Sequence, residues 1–241
     1  MFDESTLPCV NIQEQQSNNF KILIESNSYF LYENENRWMV AGEDNRSIYK
    51  EMYACYDMAY GKVLLTGLGF GMLAMWLSEK KSVESVTVVE KNKEIIDFFN
   101  KYNFNKKINI ILDDANFYKS DIEYDCVFLD HYELETSDYI IDNVKNFLSR
   151  VNYKKIWFWP IERIFINKTY DTRMKHMTKN NFVVLNDSED NIFERWNIFI
   201  KQYFPKQYFF YDIKKKDLID YIYTAFDKDY ILKEKGFYDG K

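Results

Sequence analysis

A chain of 241 residues, 46% hydrophobic and 29% charged, is large enough for one α/β domain with an appendage, and this balance excludes a disordered or membrane-embedded protein. Its formal net charge of -6 argues against a protein whose main work is gripping phosphate backbones, so nucleic acid is not the expected partner. Cys9, Cys55 and Cys126 are odd in number, far apart and without CxxC spacing, which excludes a disulfide framework or zinc site and fits reduced thiols in a cytosol.

Residues Met1 to Asn19 are polar, with Gln13, Glu14, Gln15 and Gln16 in succession, and read as a poorly ordered leader. The start, Met1-Phe2-Asp3-Glu4, lacks an apolar segment, and no apolar run approaches the roughly 20 residues that span a bilayer, so a cytoplasmic location without membrane contact is expected. Three short apolar stretches follow, Phe20 to Ile24, Tyr29 to Tyr32 and Arg37 to Ala41, separated by Ser-Asn-Ser and Asn-Glu-Asn turns. They predict a small antiparallel meander. Its exposed edges would need cover, and a homodimer joined through the meander is one way to supply it. Ile48, Met52, Cys55 and Met58 or Ala59 then recur at helical spacing, predicting an amphipathic helix over Arg46 to Tyr60.

Val63-Leu64-Leu65-Thr66 passes directly into Gly67-Leu68-Gly69-Phe70-Gly71, an apolar strand entering a glycine turn. Alternate glycines let the backbone take positive φ and let a ligand lie against the main chain, with the N-terminus of the next helix aimed at it. About twenty residues on, the run Val86 to Val89 ends in Glu90, placed to accept hydrogen bonds from a ribose diol. Met72 stands where a nicotinamide fingerprint wants Gly or Ala, so the spacing is GxGxG. Further apolar runs at Ile108 to Leu112, Cys126 to Leu129 and Ile156 to Trp159 alternate with helical patterns at Met72 to Lys80, Lys93 to Tyr102 and Ser137 to Ser149, with a short turn near Asn116 to Ser120. That alternation predicts a mostly parallel sheet covered on both faces, with ligands at the strands' C-terminal ends. After Pro160 the spacing predicts a helix over Ile161 to Lys179 and strands at Phe182 to Leu185 and Gln207 to Tyr211, while Ile192 to Phe204 fits helix or strand. Lys214, Lys215 and Lys216 precede a helix from Asp217 to Ala225 and read as solvated surface.

GxGxG followed by Glu90 resembles the first motifs of the class I S-adenosylmethionine (SAM) dependent transferases. The resemblance implies a Rossmann-like SAM-transferase fold over 46–241, preceded by a leader and meander over 1–45. It implies SAM, or decarboxylated SAM, bound by Gly67, Gly69, Gly71, Glu90, Asp114 and Ala115, the last two being similar to the Asp-Ala pair that meets the adenine amino group. Asp114 is equally suited to cap the next short turn. Asp130, at the end of Val127-Phe128-Leu129, can orient an acceptor or take its proton, or cap the following helix. His131 is a candidate general base or a hydrogen-bonded structural histidine. Trp157-Phe158-Trp159 could floor a substrate pocket or fill a buried strand.

The Asp130-His131 pair also resembles the catechol O-methyltransferase family. Glu133 replaces that family's lysine, and Pro160-Ile161-Glu162 replaces its Asp-Asn pair, so no metal is expected. Ile48-Tyr49-Lys50-Glu51-Met52, Leu65 and the pair Asp130 and Glu133 are similar to segments of the spermidine synthases. That resemblance implies catalytic roles for Asp130, Glu133 and Tyr49 and an amine acceptor, although the proline and Pro-Thr-Tyr segments of the amine pocket are absent. Three functions follow as expectations: methyl transfer from SAM to a small-molecule acceptor, aminopropyl transfer from decarboxylated SAM to a diamine, and a non-catalytic scaffold that retains the fold.

Overall fold

The structure, a computed structural model, describes residues 12–26, 28–42, 52, 55–102, 105–132, 136–161, 164, 165, 168 and 189–206. The chain divides into two compact units, Met1–Phe158 and Trp159–Lys241.

The first unit opens with an antiparallel sheet of β1 (Gln15–Gln16), β2 (Phe20–Glu25), β3 (Ser28–Glu33) and β4 (Asn36–Gly42), in that spatial order. Phe20, Ile22 and Leu31 are buried, while the tight turn between β3 and β4 places both Asn34 and Glu35 at positive φ, 47° and 66°. A two-residue loop of that kind carries the twist that antiparallel strands require. From Ile12 onward the polar leader is more structured than its composition suggests. Ile12 is buried, and β1 pairs with Lys21 and Ile22. Glu94, in the first turn of a later helix, accepts hydrogen bonds from the Ser17 hydroxyl, the Asn19 backbone N–H (3.2 Å) and the Asn19 side chain (2.9 Å). Gln15 Nε2 adds a bond to the Phe98 carbonyl at 3.4 Å. These polar side chains therefore clasp the meander to the body of the unit.

The body is a five-stranded parallel sheet of β5 (Gly61–Thr66), β6 (Val83–Glu90), β7 (Ile108–Leu112), β8 (Ser120–Leu129) and β9 (Val151–Phe158), ordered β7-β6-β5-β8-β9. Helices α1 (Met72–Glu79), α2 (Lys93–Asn100) and α3 (Ser137–Leu148) lie between the strands in sequence. Val63, Leu64, Leu65, Val86, Val88, Val127, Phe128 and Leu129 are all buried, the mark of strands covered on both faces. Each such side chain contributes about 1.5–3 kcal/mol by leaving water. Helix α2 buries Ile95, Ile96, Phe98 and Phe99, and α3 buries Ile140, Ile141, Val144, Phe147 and Leu148, at the spacing that makes one apolar face. The α/β, Rossmann-like architecture expected from the sequence is thus present, with the separate N-terminal antiparallel sheet.

Two strands are longer than their apolar runs. β8 begins at Ser120, where a turn was expected, and β9 begins at Val151 instead of Ile156. Their polar N-terminal halves pair with one another, Ser120 to Val151 and Tyr124 to Tyr153, across a bulge between Ser120 and Glu123. At this end of the sheet Asp125 accepts the Lys62 N–H (2.8 Å) and meets Lys154 Nζ (2.7 Å). Burial pushes the Asp125 carboxyl up, but those bonds and the two lysines outweigh it and hold it below its usual value.

In the second unit, α4 (Glu189–Tyr203) settles the ambiguous stretch as helix. Its Trp196 and Phe199 stack edge-on against Phe165 at 4.9 and 5.6 Å between ring centres. The Trp159–Pro160 peptide is cis. The strands expected at Phe182 to Leu185 and Gln207 to Tyr211, the helix at Asp217 to Ala225, and most of Arg46 to Met52 lie outside the described residues.

Candidate functional site

In the parallel sheet β5 has β6 on one side and β8 on the other, so successive connections leave it in opposite directions. The ends of β5 and β8 at such a reversal frame a crevice, the usual ligand position in open α/β sheets. The glycine turn leaves β5 at this point.

The Gly67 N–H bonds the Val89 carbonyl (2.9 Å), and the Asp130 N–H is shared between the Thr66 carbonyl and the Thr66 hydroxyl, both at 3.2 Å. These bonds bring the end of β8 against Gly67. A Cβ at Gly67 would lie 2.1 Å from the Asp130 carbonyl oxygen, and its φ of 82° is left-handed, so only glycine fits. Gly71, with φ of 73°, sits at the N-cap of α1, and a Cβ there would lie 2.0 Å from Phe99 of α2. Gly69 differs. Its missing side chain would meet only the Met39 thioether, at 2.8 Å, the mobile end of a side chain from β4. Among the described residues the Gly69 and Phe70 amides donate to no acceptor.

Glu90, at the end of β6, is 3% exposed. Its Oε2 accepts the Leu68 N–H and its Oε1 the Asn92 N–H, each at 2.8 Å. Burial raises its carboxyl above the usual value, against the opposing pull of the Leu68, Asn92 and Lys91 amides. A carboxylate has about four acceptor sites, so these three amides leave acceptor capacity for a ligand hydroxyl. The turn is also held from outside: Tyr102 donates its hydroxyl to the Phe70 carbonyl at 2.9 Å, and the Tyr29 ring lies 6.3 Å from that of Phe70.

At the end of β7, Asp113 Oδ1 accepts the Asp114 N–H and Asp114 Oδ1 accepts the Asn116 N–H, both at 2.8 Å. The capping role open to Asp114 is therefore present. Ala115 is buried, and Arg150 donates to the Ala115 carbonyl (3.2 Å) and the Tyr118 carbonyl (3.0 Å), strapping this turn in place. At the end of β8, His131 Nδ1 lies 2.6 Å from the Thr66 hydroxyl, and its ring packs against Phe147 and Tyr132. Burial pulls the imidazole pKa down to about 4. Asn143 and the Asp114 charge raise it, while the Arg150 and Lys91 cations lower it further. His131 is thus neutral near pH 7 and hydrogen-bonded, the structural alternative offered by the sequence. Trp157 is a buried strand residue. The Tyr132 hydroxyl, pushed up by burial and by the Asp130 charge, donates to the Leu129 carbonyl at 3.4 Å.

Gly67, Gly69, Gly71 and Glu90 are therefore gathered at one turn, Asp130 adjoins it through Gly67 and Thr66, and Asp114 and Ala115 stand at the neighbouring end of β7. Tyr49 and Glu133 lie outside the described residues. Thr66, Met39, Tyr102 and Arg150 carried no sequence signal, because their roles depend on which strands become neighbours.

No family model and no curated protein matches the chain. Solved structures do. The spermidine synthase of Thermotoga maritima is 17% identical, with a TM-score of 0.42 over 58% of this chain and 53% of its own. A probable spermidine synthase of Corynebacterium glutamicum is 14% identical, with a TM-score of 0.43 over 61% and 63%. A putative RNA methyltransferase of Pyrococcus horikoshii is 18% identical, with a TM-score of 0.37 over 52% and 64%. The chain spans about half the length of the Thermotoga protein that it matches.

Proposed function

We propose that this chain is a SAM-dependent transferase that moves a methyl group to a small-molecule acceptor beside Asp130. The observation that carries the reading is the glycine turn at the reversal point of the sheet, with Glu90 fixed beneath it. The residues fit the cofactor. Glu90 keeps acceptor capacity for a ribose hydroxyl, Asp114 and Ala115 stand one strand further for the adenine, and the Gly69 and Phe70 amides are donors for a carboxylate. Bound there, SAM would supply a methyl group made electrophilic by its sulfonium.

The rest falls to the protein. Holding an acceptor in line can contribute several kcal/mol of barrier reduction. Asp130 then orients the nucleophile or takes its proton, with Glu133 and Tyr49 as the further catalytic groups that the resemblance to spermidine synthases implies. Calorimetry with SAM and S-adenosylhomocysteine tests the reading: binding is expected, and its absence at millimolar ligand would end it, leaving the scaffold alternative.

The contact of the meander with the glycine turn, through Met39 and Tyr29, favours a second reading, aminopropyl transfer from decarboxylated SAM to an amine. Incubation with each donor and a panel of amines, followed by mass spectrometry, separates the two. A one-methyl gain supports the first and an aminopropyl gain the second.

A further inference from the structure

Glycine gives the turn its shape and also leaves it free to lose that shape. Gly67, Gly69 and Gly71 all hold left-handed φ, at 82°, 50° and 73°, and a glycine backbone passes between such states and their mirror images at little steric cost. Hydrogen bonds must therefore select one arrangement. The Leu68 N–H is held by Glu90 at 2.8 Å, and the Gly71 N–H closes on the Leu68 carbonyl at 2.7 Å. Between them the Gly69 and Phe70 amides donate to no acceptor among the described residues, which leaves two successive N–H groups for a ligand.

A further grip on this span comes from the end of α2. Phe99 and Tyr102 stand three residues apart, so they share one side of it, and they meet successive residues of the turn. Phe99 fills the space in which a Cβ of Gly71 would stand, and the Tyr102 hydroxyl donates to the Phe70 carbonyl at 2.9 Å. The direction of that bond is unambiguous, because a carbonyl only accepts. The Tyr102 ring is set edge-on against Phe99 at 5.4 Å between centres, and the Tyr102 N–H bonds the Phe99 carbonyl at 3.1 Å, so the hydroxyl is aimed by its own helix end. Burial raises its pKa, which keeps the donor proton in place. The Phe70–Gly71 peptide is thus pinned on both sides, its carbonyl to Tyr102 and its N–H to Leu68. Phe70 is 2% exposed, so a carbonyl released by Tyr102 would find little water in exchange.

We propose that Tyr102 is a positioning residue: by holding the Phe70 carbonyl it keeps the Gly69 and Phe70 amides in the arrangement that receives a ligand. Its meaning for catalysis rests on the transferase reading, whereas its grip on the turn does not. Without the hydroxyl, a ligand meets a turn that is competent for only part of the time, and apparent affinity falls by that fraction.

Tyr102→Phe keeps the ring and removes only the hydroxyl, and carbon and nitrogen NMR of the ligand-free full chain reads the result. The Phe70 carbonyl carbon and the Gly69, Phe70 and Gly71 N–H signals are expected to shift or split. Calorimetry on the same samples is expected to show SAM affinity down about threefold to tenfold, the worth of one neutral hydrogen bond. Asp125→Ala is the control: it strips the Lys62 N–H of its acceptor at the opposite end of the sheet and should leave SAM affinity within about twofold. Unmoved turn signals in a folded Tyr102→Phe chain, unchanged SAM affinity, or a fall that Asp125→Ala matches would overturn the proposal. Should Tyr102→Phe fail to fold, relaxation dispersion on the wild type decides: turn signals free of millisecond exchange support the proposal, and exchange at Gly69 and Phe70 overturns it. A wild-type chain that binds no SAM refutes the transferase reading, while moved turn signals in the variant still establish the grip of Tyr102.

Discussion

Glu90→Ala tests the residue on which both the fold of the turn and the proposed cofactor site depend. The substitution strips two N–H groups of their acceptor: that of Leu68, a buried residue, and that of the part-buried Asn92. An unsatisfied buried donor costs about 1–3 kcal/mol, so about 2 kcal/mol at Leu68 and about 1 kcal/mol at the wetter Asn92 are expected, less a small gain from no longer burying a charge. A loss of about 3 kcal/mol is a large fraction of the roughly 5–15 kcal/mol that holds a domain together. For a chain of this size it lowers Tm by roughly 6–12 °C. Calorimetric unfolding at pH 7 measures this, and titration with SAM on the same protein at a temperature where it is folded measures binding. If the carboxylate also takes ribose hydroxyls, affinity falls about tenfold or more. A Tm within about 1 °C of wild type would refute the role of Glu90 in holding the turn. A lowered Tm with unchanged affinity would refute only the ribose contact.

The glycines differ in what they tolerate. Gly67→Ala drives a Cβ into the Asp130 carbonyl, and Gly71→Ala drives one into the Phe99 ring, so both should unfold at markedly lower urea, whereas Gly69→Ala displaces only the tip of Met39 and should cost about 1–2 kcal/mol for its left-handed backbone. Asp130→Asn is expected to leave SAM affinity within a few fold while turnover falls about a hundredfold, as measured once an acceptor is identified; full activity would reduce the residue to a cap. Unfolded His131 protonates near pH 6.5 and the folded residue only near pH 4, so its contribution is complete above pH 6.5 and is lost as pH falls through that window, by up to about 3 kcal/mol; urea titrations of wild type and His131→Phe between pH 7 and pH 4 should converge accordingly. Glu90 acts in the opposite sense, because burial raises its pKa, and Glu90→Gln removes that part of the pH dependence.

The parallel sheet was legible because strands covered on both faces must be apolar without interruption, as in Val63 to Leu65 and Cys126 to Leu129. Where strands outrun the core that rule fails. Ser120 to Tyr124 and Val151 to Lys155 pair at the rim of the sheet, half in water, and their polar residues hide them. β1 was missed for a related reason: two glutamines form it, and its fixed position depends on Glu94 and Phe98, far along the chain. In the site, Glu90 was legible as an acid at the end of a strand, but its present partners were not, since a backbone N–H carries no signature. The glycine spacing was equally plain. That Gly67 is demanded by Asp130, and Gly71 by Phe99, follows only from knowing that β8 lies beside β5 and how α2 is seated.

The clasp between the meander and α2 also orders events during synthesis. All pairing within β1 to β4 is between near neighbours in sequence, so the small sheet can assemble while residues beyond Gly42 are still being added. Its seat cannot form then, because Glu94 lies 77 residues beyond Ser17 and 75 beyond Asn19. The nascent meander therefore waits unseated until α2 has left the ribosome, and it is in that interval that the chain is most open to capture by chaperones.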